Sequence, residues 1–285
     1  MGIIGISGKK TVGKDTVGQI IQYLTSESYK KGRDYETFIR KQTSNLDFEP
    51  HYISKWQIKK FADKLKDIIC LLINCTRDEL ENESFKSKEL GEEWYLYIVK
   101  NTYSNKILSP CFLTKEEARH WEQTQDWYED TGGYDTSVEL IKPTPRFLLQ
   151  FIGTDLLRNQ LHPEIWVNSL MNEYRQDFID YDIDDLGNKY PIYGSFPHWI
   201  ITDMRFPNEM EAVKKRGGIT IRVNRSFNHK MGSKETGTID LTPEHESEKA
   251  LDNAEFDYVI QNNGTISDLI DKIRNILIEN NLIKK

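Results

Sequence analysis

The amino-acid sequence predicts an α/β fold in which helices alternate with the strands of a parallel sheet. Three observations support this prediction. Residues 1–24 run from an apolar segment through a Gly- and Lys-rich turn into a segment with helical spacing of its apolar side chains. Two more apolar segments, residues 199–201 and 219–223, are separated by a helix-like segment. A further strand-like segment is followed by a long amphipathic segment at the C-terminus, and this alternation is typical of parallel sheets.

The first strand–turn–helix segment carries the clearest chemistry. Residues 3–6 predict a buried strand, and the apolar residues of segment 17–24 recur at helical spacing. Between them, GKKTVGK at residues 8–14 has the spacing Gly, four residues, Gly-Lys. That spacing is typical of a phosphate-binding loop, in which backbone N–H groups surround phosphate oxygens and the lysine reaches the outer phosphates. The N-terminus of the following helix favours the same anion.

One position departs from the strict pattern of such loops. Asp15 stands where a Ser or Thr normally offers a hydroxyl to magnesium, and the hydroxyl comes one residue later, at Thr16. We expect Asp15 to orient hydrated Mg²⁺ with Thr16 beside it. The alternative is that Asp15 only caps the helix. The residues predicted to bind the donor phosphates are Gly8, Lys9, Lys10, Thr11, Val12, Gly13, Lys14, Asp15 and Thr16.

Length, charge and cysteine content limit the classes of protein to which this chain can belong. The chain has 285 residues, enough for one large domain or for a core with an insertion. Its net charge of −7 argues against general nucleic-acid binding, which usually requires a basic surface. Three cysteines without paired ligand spacing predict reduced thiols. With no apolar run long enough to cross a bilayer and no leader segment, we expect a cytoplasmic protein that does not bind membranes.

The segment between the loop and residue 142 is less informative. We expect a loop at residues 26–35, a short strand at 35–40, and an amphipathic helix that begins at Phe61. Lys64 on that helix either faces a substrate phosphate or is solvated. Residues 76–142 predict a mostly helical insertion or substrate-side region. Its aromatic residues either contact a base or pack with one another; they are Trp94, Tyr95, Tyr97, Trp121, Trp127 and Tyr128.

Two helices are predicted over residues 146–158 and 162–170. Beside their apolar stripes they carry groups that can bind phosphate or stack on a planar ring. The alternative is two ordinary helices with solvated charges. The residues concerned are Arg146, Gln150, Asp155, Arg158, His162 and Trp166.

The C-terminal part continues the α/β pattern. An acidic loop is expected at residues 180–194. Asp203 follows the strand at 199–201, at the end of the sheet where open α/β folds bind ligands. A second acidic residue at that end would meet a metal–phosphate complex. A helix over residues 209–215 stops at a Gly-Gly pair. Residues 224–245 are either a mobile lid or a surface loop. The expected remainder is a helix from residue 245, a strand at 257–260 and a helix at 266–283.

Four stretches in order resemble the bacteriophage deoxynucleoside monophosphate kinases. GISGKKTVGKDT resembles the phosphate-binding loop of that family, including its Gly-Lys-Asp ending. FLLQFIGTDLLRNQLHPEIWVNSL resembles its central helical segment, and ITDMRFPNEMEAVKKRGGITIRVNR its strand, Asp-x-Arg, helix and strand unit. HESEKALDNAEFDYVIQNNGTISDLI extends the similarity toward the C-terminus. Residues 76–142 lie outside it.

The resemblance implies a three-layer P-loop NTPase fold of the nucleoside monophosphate kinase type, with a helical insertion. It implies ATP with Mg²⁺ as the phosphoryl donor and a deoxynucleoside monophosphate as the acceptor. We expect Lys14, Asp15, Asp203 and Arg205 to act in catalysis, with Asp15, Thr16 and Asp203 at the metal. The expected acceptor residues are Lys64, Arg146, Gln150, Asp155, Trp166, Arg205 and Glu209; the alternatives are a core Trp166 and a solvated Glu209.

The predicted organisation has three parts: residues 1–75 as the first part of the P-loop core, 76–142 as the insertion, and 143–285 as the acceptor-site helices and the rest of the core. One rival hypothesis is a P-loop kinase for another phosphorylated acceptor, such as a phosphomevalonate- or dephospho-coenzyme-A-like substrate. The other is a nucleotide-binding module without transfer chemistry. The sequence leaves a homodimer open and gives no base preference, and we expect the host cytoplasm as the location if a phage encodes the chain.

Overall fold

A computed structural model describes residues 2–43, 54–101, 112–124, 136–183, 189–226 and 249–284. They form two compact units, one of Met1–Asp63 with Glu164–Lys285 and one of Lys64–Pro163. The divisions predicted at residues 75 and 142 both fall within the second unit.

Nine strands occur in the described residues. They are β1 (Ile3–Ser7), β2 (Trp56–Lys59), β3 (Leu96–Asn101), β4 (Thr136–Ile141), β5 (Phe178–Ile183), β6 (Lys189–Tyr193), β7 (His198–Ile201), β8 (Ile219–Asn224) and β9 (Tyr258–Gln261).

The same residues contain eleven α-helices. They are α1 (Lys14–Leu24), α2 (Glu27–Lys30), α3 (Tyr35–Thr43), α4 (Asp63–Ile73), α5 (Arg77–Glu81), α6 (Glu83–Lys86), α7 (Lys115–Thr124), α8 (Pro145–Gln150), α9 (Ile165–Met171), α10 (Pro207–Lys215) and α11 (Ile266–Glu279). A short 3-10 helix covers Glu92–Trp94 and a π-helix covers Phe151–Leu161.

The centre of the first unit is a five-stranded sheet of order β2-β7-β1-β8-β9, and all its pairings are parallel. All five residues of β1 are buried. Ile4 and Ile6 pack in one core cluster with residues of α1 and α11. Gly5 packs closely against α10, because a Cβ at this position would lie 3.2 Å from Cγ2 of Val213. Helices therefore cover both faces of a parallel sheet, which confirms the predicted three-layer α/β fold.

The second unit contains helices α5 to α8 and the π-helix, with most of α4. It also contains an antiparallel pair, β3 and β4, that the sequence analysis did not predict. Val99, Leu113 and Ala118 form a small core cluster beside that pair. The insertion is therefore helical with one added two-stranded sheet.

The strand predicted at residues 35–40 is wrong, because this segment forms helix α3. Asp34 precedes the helix and its carboxylate accepts hydrogen bonds from the backbone N–H and the hydroxyl of Thr37, at 2.7 and 2.9 Å. Such a side chain satisfies N–H groups that a helix start leaves without partners. The loop predicted at residues 26–35 likewise contains α2.

The loop predicted at residues 180–194 is also wrong. Strands β5 and β6 pair antiparallel there, with Ile183 opposite Lys189. Residues 184–188, between the two strands, lie outside the described residues.

The remaining predicted elements are confirmed with small shifts in their ends. They are the helix after Phe61 (α4), the strands β7, β8 and β9, and the helices α10 and α11. The two helices predicted over residues 146–170 appear as α8, the π-helix and α9. The predicted lid from residue 227 onward, the helix from residue 245, and Trp127 and Tyr128 lie outside the described residues. In the described parts of the chain, the helices are all too short or too polar to cross a bilayer.

Candidate nucleotide-phosphate site

The loop between β1 and α1 depends on glycine at two positions. Gly8 has φ 154° and Gly13 has φ 98°, and both values lie in a region that L side chains rarely adopt. A Cβ at Gly8 would also collide with the carbonyl oxygen of Val223. These two residues let the chain turn tightly from the strand into the helix.

Lys14, the first residue of α1, folds back across the loop. Its Nζ donates to the carbonyl oxygens of Gly8 and Lys9, at 2.6 and 2.7 Å. Helix α1 has no side-chain cap, because its N-cap residue is Gly13. The ammonium group therefore lies against the loop that leads into α1, and the start of a helix is a place that favours phosphate.

Asp15 makes its contacts outside its own helix. Its Oδ1 accepts a hydrogen bond of 2.8 Å from the hydroxyl of Thr202, and the same oxygen lies 3.1 Å from Nζ of Lys60. Partial burial acts to raise the pKa of the Asp15 carboxyl, but Lys60, the Thr202 hydroxyl and Lys14 together hold the pKa below its usual value. Asp15 is therefore an anchored carboxylate and not a cap of α1.

Thr202 follows β7 directly and is buried, with 1% of its surface exposed. Thr202 can reach Asp15 because helix α1 packs closely against Thr202 at Gly18. A Cβ at Gly18 would lie only 2.8 Å from Cγ2 of Thr202. A glycine in the helix thus sets the distance between α1 and the end of β7.

Asp203 lies at the carboxyl end of β7, as the sequence predicted. Its Oδ1 accepts from the backbone N–H of Phe61, at 2.8 Å, and its Oδ2 from that of Ala62, at 3.0 Å. Burial raises the pKa of the Asp203 carboxyl, and this effect outweighs the two hydrogen bonds, which lower it. In this geometry both oxygens hold the segment that follows β2.

The predicted metal ligands differ in their surroundings. Asp15 lies at the start of α1 with its side chain 67% exposed, and Thr16 is the next residue along the chain. Since Mg²⁺ commonly takes one or two carboxylates together with substrate phosphates, Asp15 fits that role. Both oxygens of Asp203 accept hydrogen bonds from backbone N–H groups, so this carboxylate also holds the backbone that follows β2. No group of three or more potential metal-ligating side chains occurs in the ranges that the structure describes.

The sequence analysis did not single out several side chains that hold the loop. Asn262, directly after β9, donates from Nδ2 to the carbonyl oxygen of Val12, at 2.8 Å. Arg222 on β8 donates to the hydroxyl of Ser7, at 3.3 Å, and pairs with Asp252 at 2.7 Å. Only their position after or on parallel strands could have indicated them, because the carboxyl ends of such strands share one edge.

Three predicted acceptor residues belong to the first unit. Trp166 on α9 is 7% exposed, so its ring packs mostly against the protein. Oε2 of Glu209 accepts from the backbone N–H groups of Arg205 and Phe206, at 2.7 and 3.1 Å. Glu209 is therefore buried and holds the start of α10 together with the backbone of Arg205.

The other predicted acceptor residues belong to the second unit. Arg146 on α8 forms an ion pair of 2.6 Å with Glu83. Lys64, Gln150 and Asp155 are exposed on α4, α8 and the π-helix. These four positions present polar groups at the surface of their helices.

The parallel sheet, the glycine loop and the uncapped start of α1 define a P-loop protein of the α/β class. The sequence model of the family described as deoxynucleotide monophosphate kinase matches residues 2–273. The chain belongs to this family.

Individual relatives share modest identity with the chain. The deoxynucleotide monophosphate kinase of Escherichia phage RB69 is 32% identical over 132 residues, which cover 46% of this chain and 44% of that protein. The match thus spans less than half of the RB69 protein. A protein of Acanthamoeba polyphaga mimivirus is 27% identical over 62% of this chain and 82% of its own length. The deoxynucleoside-5'-monophosphate kinase of Escherichia phage T5 is 22% identical over 75% of this chain and 72% of its own length.

Proposed function

We propose that this protein transfers the terminal phosphoryl group of ATP to the 5'-phosphate of a deoxynucleoside monophosphate. The observation that carries the proposal is the glycine loop between β1 and α1, with the ammonium group of Lys14 held against it, in a chain that matches the kinase family over residues 2–273. Phosphoryl transfer depends mainly on positioning and electrostatic stabilisation, which such a loop supplies.

On the donor side, residues 8–16 bind the phosphates of ATP. Lys14 stabilises the charge that develops on the transferring group. Asp15 and Thr16 would hold Mg²⁺, which would neutralise phosphate charge. Asp203 contributes by fixing the segment after β2, through the backbone N–H groups of Phe61 and Ala62.

On the acceptor side, the candidate phosphate-binding groups are arginines, one in each compact unit. Arg146 and Arg205 carry planar guanidinium groups, which hold phosphate in a fixed geometry while offsetting the repulsion between two anionic substrates. Glu209 positions Arg205 through its backbone N–H. The remaining acceptor residues are Lys64, Gln150, Asp155 and Trp166.

The reaction would supply deoxynucleoside diphosphates as precursors of DNA. Relatives named as deoxynucleotide monophosphate kinases occur in phages RB69 and T4. We therefore infer a role during phage infection, in the cytoplasm of the host.

A coupled assay tests the proposal. Production of ADP from ATP is measured with each of the four deoxynucleoside monophosphates and with their ribose counterparts. We expect turnover with at least one deoxynucleoside monophosphate and a dependence on Mg²⁺. If ATP binds but no monophosphate is phosphorylated, the proposed activity is wrong.

A further inference from the structure

Lys60 stands at the edge of the sheet that faces the phosphate loop. It directly follows β2, which pairs in parallel with β7, and its Nζ lies 3.1 Å from Oδ1 of Asp15. Its side chain is 25% exposed. Neither the loop pattern nor the resemblance assigned a role to this residue.

The backbone around Lys60 is held by two carboxylates. Asp63 accepts from the N–H of Lys60 itself, at 3.1 Å, and Asp203 accepts from the N–H groups of Phe61 and Ala62. Three consecutive N–H groups are thus fixed by side chains. Burying the carboxylate of Asp203 costs free energy, and its two hydrogen bonds offset part of that cost. These hydrogen bonds fix the backbone from which the flexible side chain of Lys60 extends.

We propose that Lys60 binds the terminal phosphate of the donor nucleotide, and that Asp15 holds its ammonium group until the nucleotide arrives. This inference rests on the proposed function. The ammonium group of Lys14 lies against the loop, whereas that of Lys60 reaches Asp15 from the end of β2. Negative charge develops on the transferring phosphoryl group, and a second cation at the end of β2 would stabilise it.

The contact with Asp15 suits an exchange of partners. Oδ1 of Asp15 accepts from Thr202 and also faces Lys60. A triphosphate offers more negative charge than one carboxylate, so it competes for the ammonium group. When Lys60 turns to the phosphate, Asp15 loses a cation and keeps the hydroxyl of Thr202. The carboxylate is then available to a divalent cation that arrives with the nucleotide.

The test compares two nucleotides that differ in the terminal phosphate. Binding of AMP-PNP and of ADP, each with Mg²⁺, is measured by calorimetry for the unmodified chain, Lys60→Gln and Lys55→Gln. Lys55→Gln is the matched control, because Lys55 is exposed and precedes the same strand at its other end. We expect Lys60→Gln to weaken the affinity for AMP-PNP by roughly ten- to a hundred-fold, which is the effect of one charged hydrogen bond. The affinity for ADP should stay nearly unchanged.

Several outcomes would overturn the proposal. They are unchanged AMP-PNP affinity in Lys60→Gln, an equal loss for AMP-PNP and ADP, an equal loss in Lys55→Gln, or no AMP-PNP binding by the unmodified chain. An equal loss for both nucleotides would mean that Lys60 only neutralises Asp15. Thermal unfolding of each variant checks that it is folded. Because binding is measured without acceptor, failure of the kinase assay leaves this test intact.

Discussion

The hydroxyl of Thr202, at the end of β7, donates a hydrogen bond of 2.8 Å to the carboxylate of Asp15, at the start of α1. In most P-loop proteins the loop supplies the hydroxyl and the facing strand supplies the carboxylate at the magnesium ion. Here the carboxylate stands at the start of α1 and the hydroxyl that it accepts from stands at the end of β7.

This hydrogen bond makes Thr202 a positioning residue for Asp15. Thr202→Val keeps the shape of the side chain and removes the hydrogen bond, so we expect the Mg²⁺ dependence of turnover to shift. The concentration for half-maximal rate should rise by roughly ten-fold or more, as for other partners of metal ligands. A Mg²⁺ titration of the initial rate measures this.

Thr220→Val is the control for that variant. Thr220 is also buried, and its hydroxyl donates to Asp257 at 2.7 Å, away from the phosphate loop. Thr220→Val should lower thermal stability without changing the Mg²⁺ concentration that gives the half-maximal rate. Equal shifts in both variants would assign the effect of Thr202 to packing.

Loss of Lys14 should affect the chemical step most. Lys14→Ala removes the ammonium group that lies over the loop, and we expect turnover to fall by on the order of ten- to a thousand-fold. Initial rates at saturating ATP and acceptor measure the change. Lys30→Ala, a change in an exposed pair with Glu27, serves as the control. Near-normal turnover in Lys14→Ala would contradict its assigned role.

Arg146 pairs with Glu83 in the structure, and this pair gives a test of its acceptor role. Arg146→Ala should raise the Michaelis constant for the deoxynucleoside monophosphate, by roughly ten-fold for a lost charged contact, and leave that for ATP little changed. Glu83→Ala removes the partner but keeps the guanidinium group. If both variants raise the constant equally, the ion pair matters for structure and Arg146 does not bind the acceptor.

Stability at acid pH should depend on the start of α11. Asp268 accepts from the backbone N–H and the hydroxyl of Thr265, and these two hydrogen bonds lower the pKa of its carboxyl. Since the folded pKa lies below the unfolded value of about 3.9, this stabilisation is complete above the unfolded value. It is lost as the pH falls through the folded value.

The comparison with Asp268→Asn isolates that contribution. The amide cannot titrate, so the thermal midpoint of the variant should fall less steeply between about pH 5 and pH 2 than that of the unmodified chain. Melting curves across this range measure the difference. Parallel curves would show that Asp268 adds nothing to the acid sensitivity.

The fold was predictable where local pattern and tertiary structure agree. The loop at residues 8–14 and the apolar strands around it determined the α/β class. Residues 35–40 show the opposite case. Their aromatic and β-branched side chains favour a strand, whereas the spacing of Tyr35, Phe38 and Ile39 suits one face of a helix. Asp34, which caps the segment, decides for the helix.

The site was predictable only in part, because its contacts join residues that are distant in sequence. That an acid follows β7 could be seen from the sequence, but its partners, Phe61 and Ala62, could not. The contact of Lys60 with Asp15 requires knowing that β2 lies beside β7 in the sheet. Strand order is a tertiary property, and periodicity does not contain it.

Gly18 has a consequence for engineering this protein. Alanine in the middle of a helix is favoured over glycine by about 1 kcal/mol, so a search for thermostable variants of α1 would choose Gly18→Ala early. The new methyl group would meet Cγ2 of Thr202 at 2.8 Å, well inside the usual 3.5–4.0 Å separation of carbon atoms. Helix α1 would have to move outward, and Asp15 would move with it. A residue with no side chain thus limits how far this helix can be optimised without moving the carboxylate of Asp15.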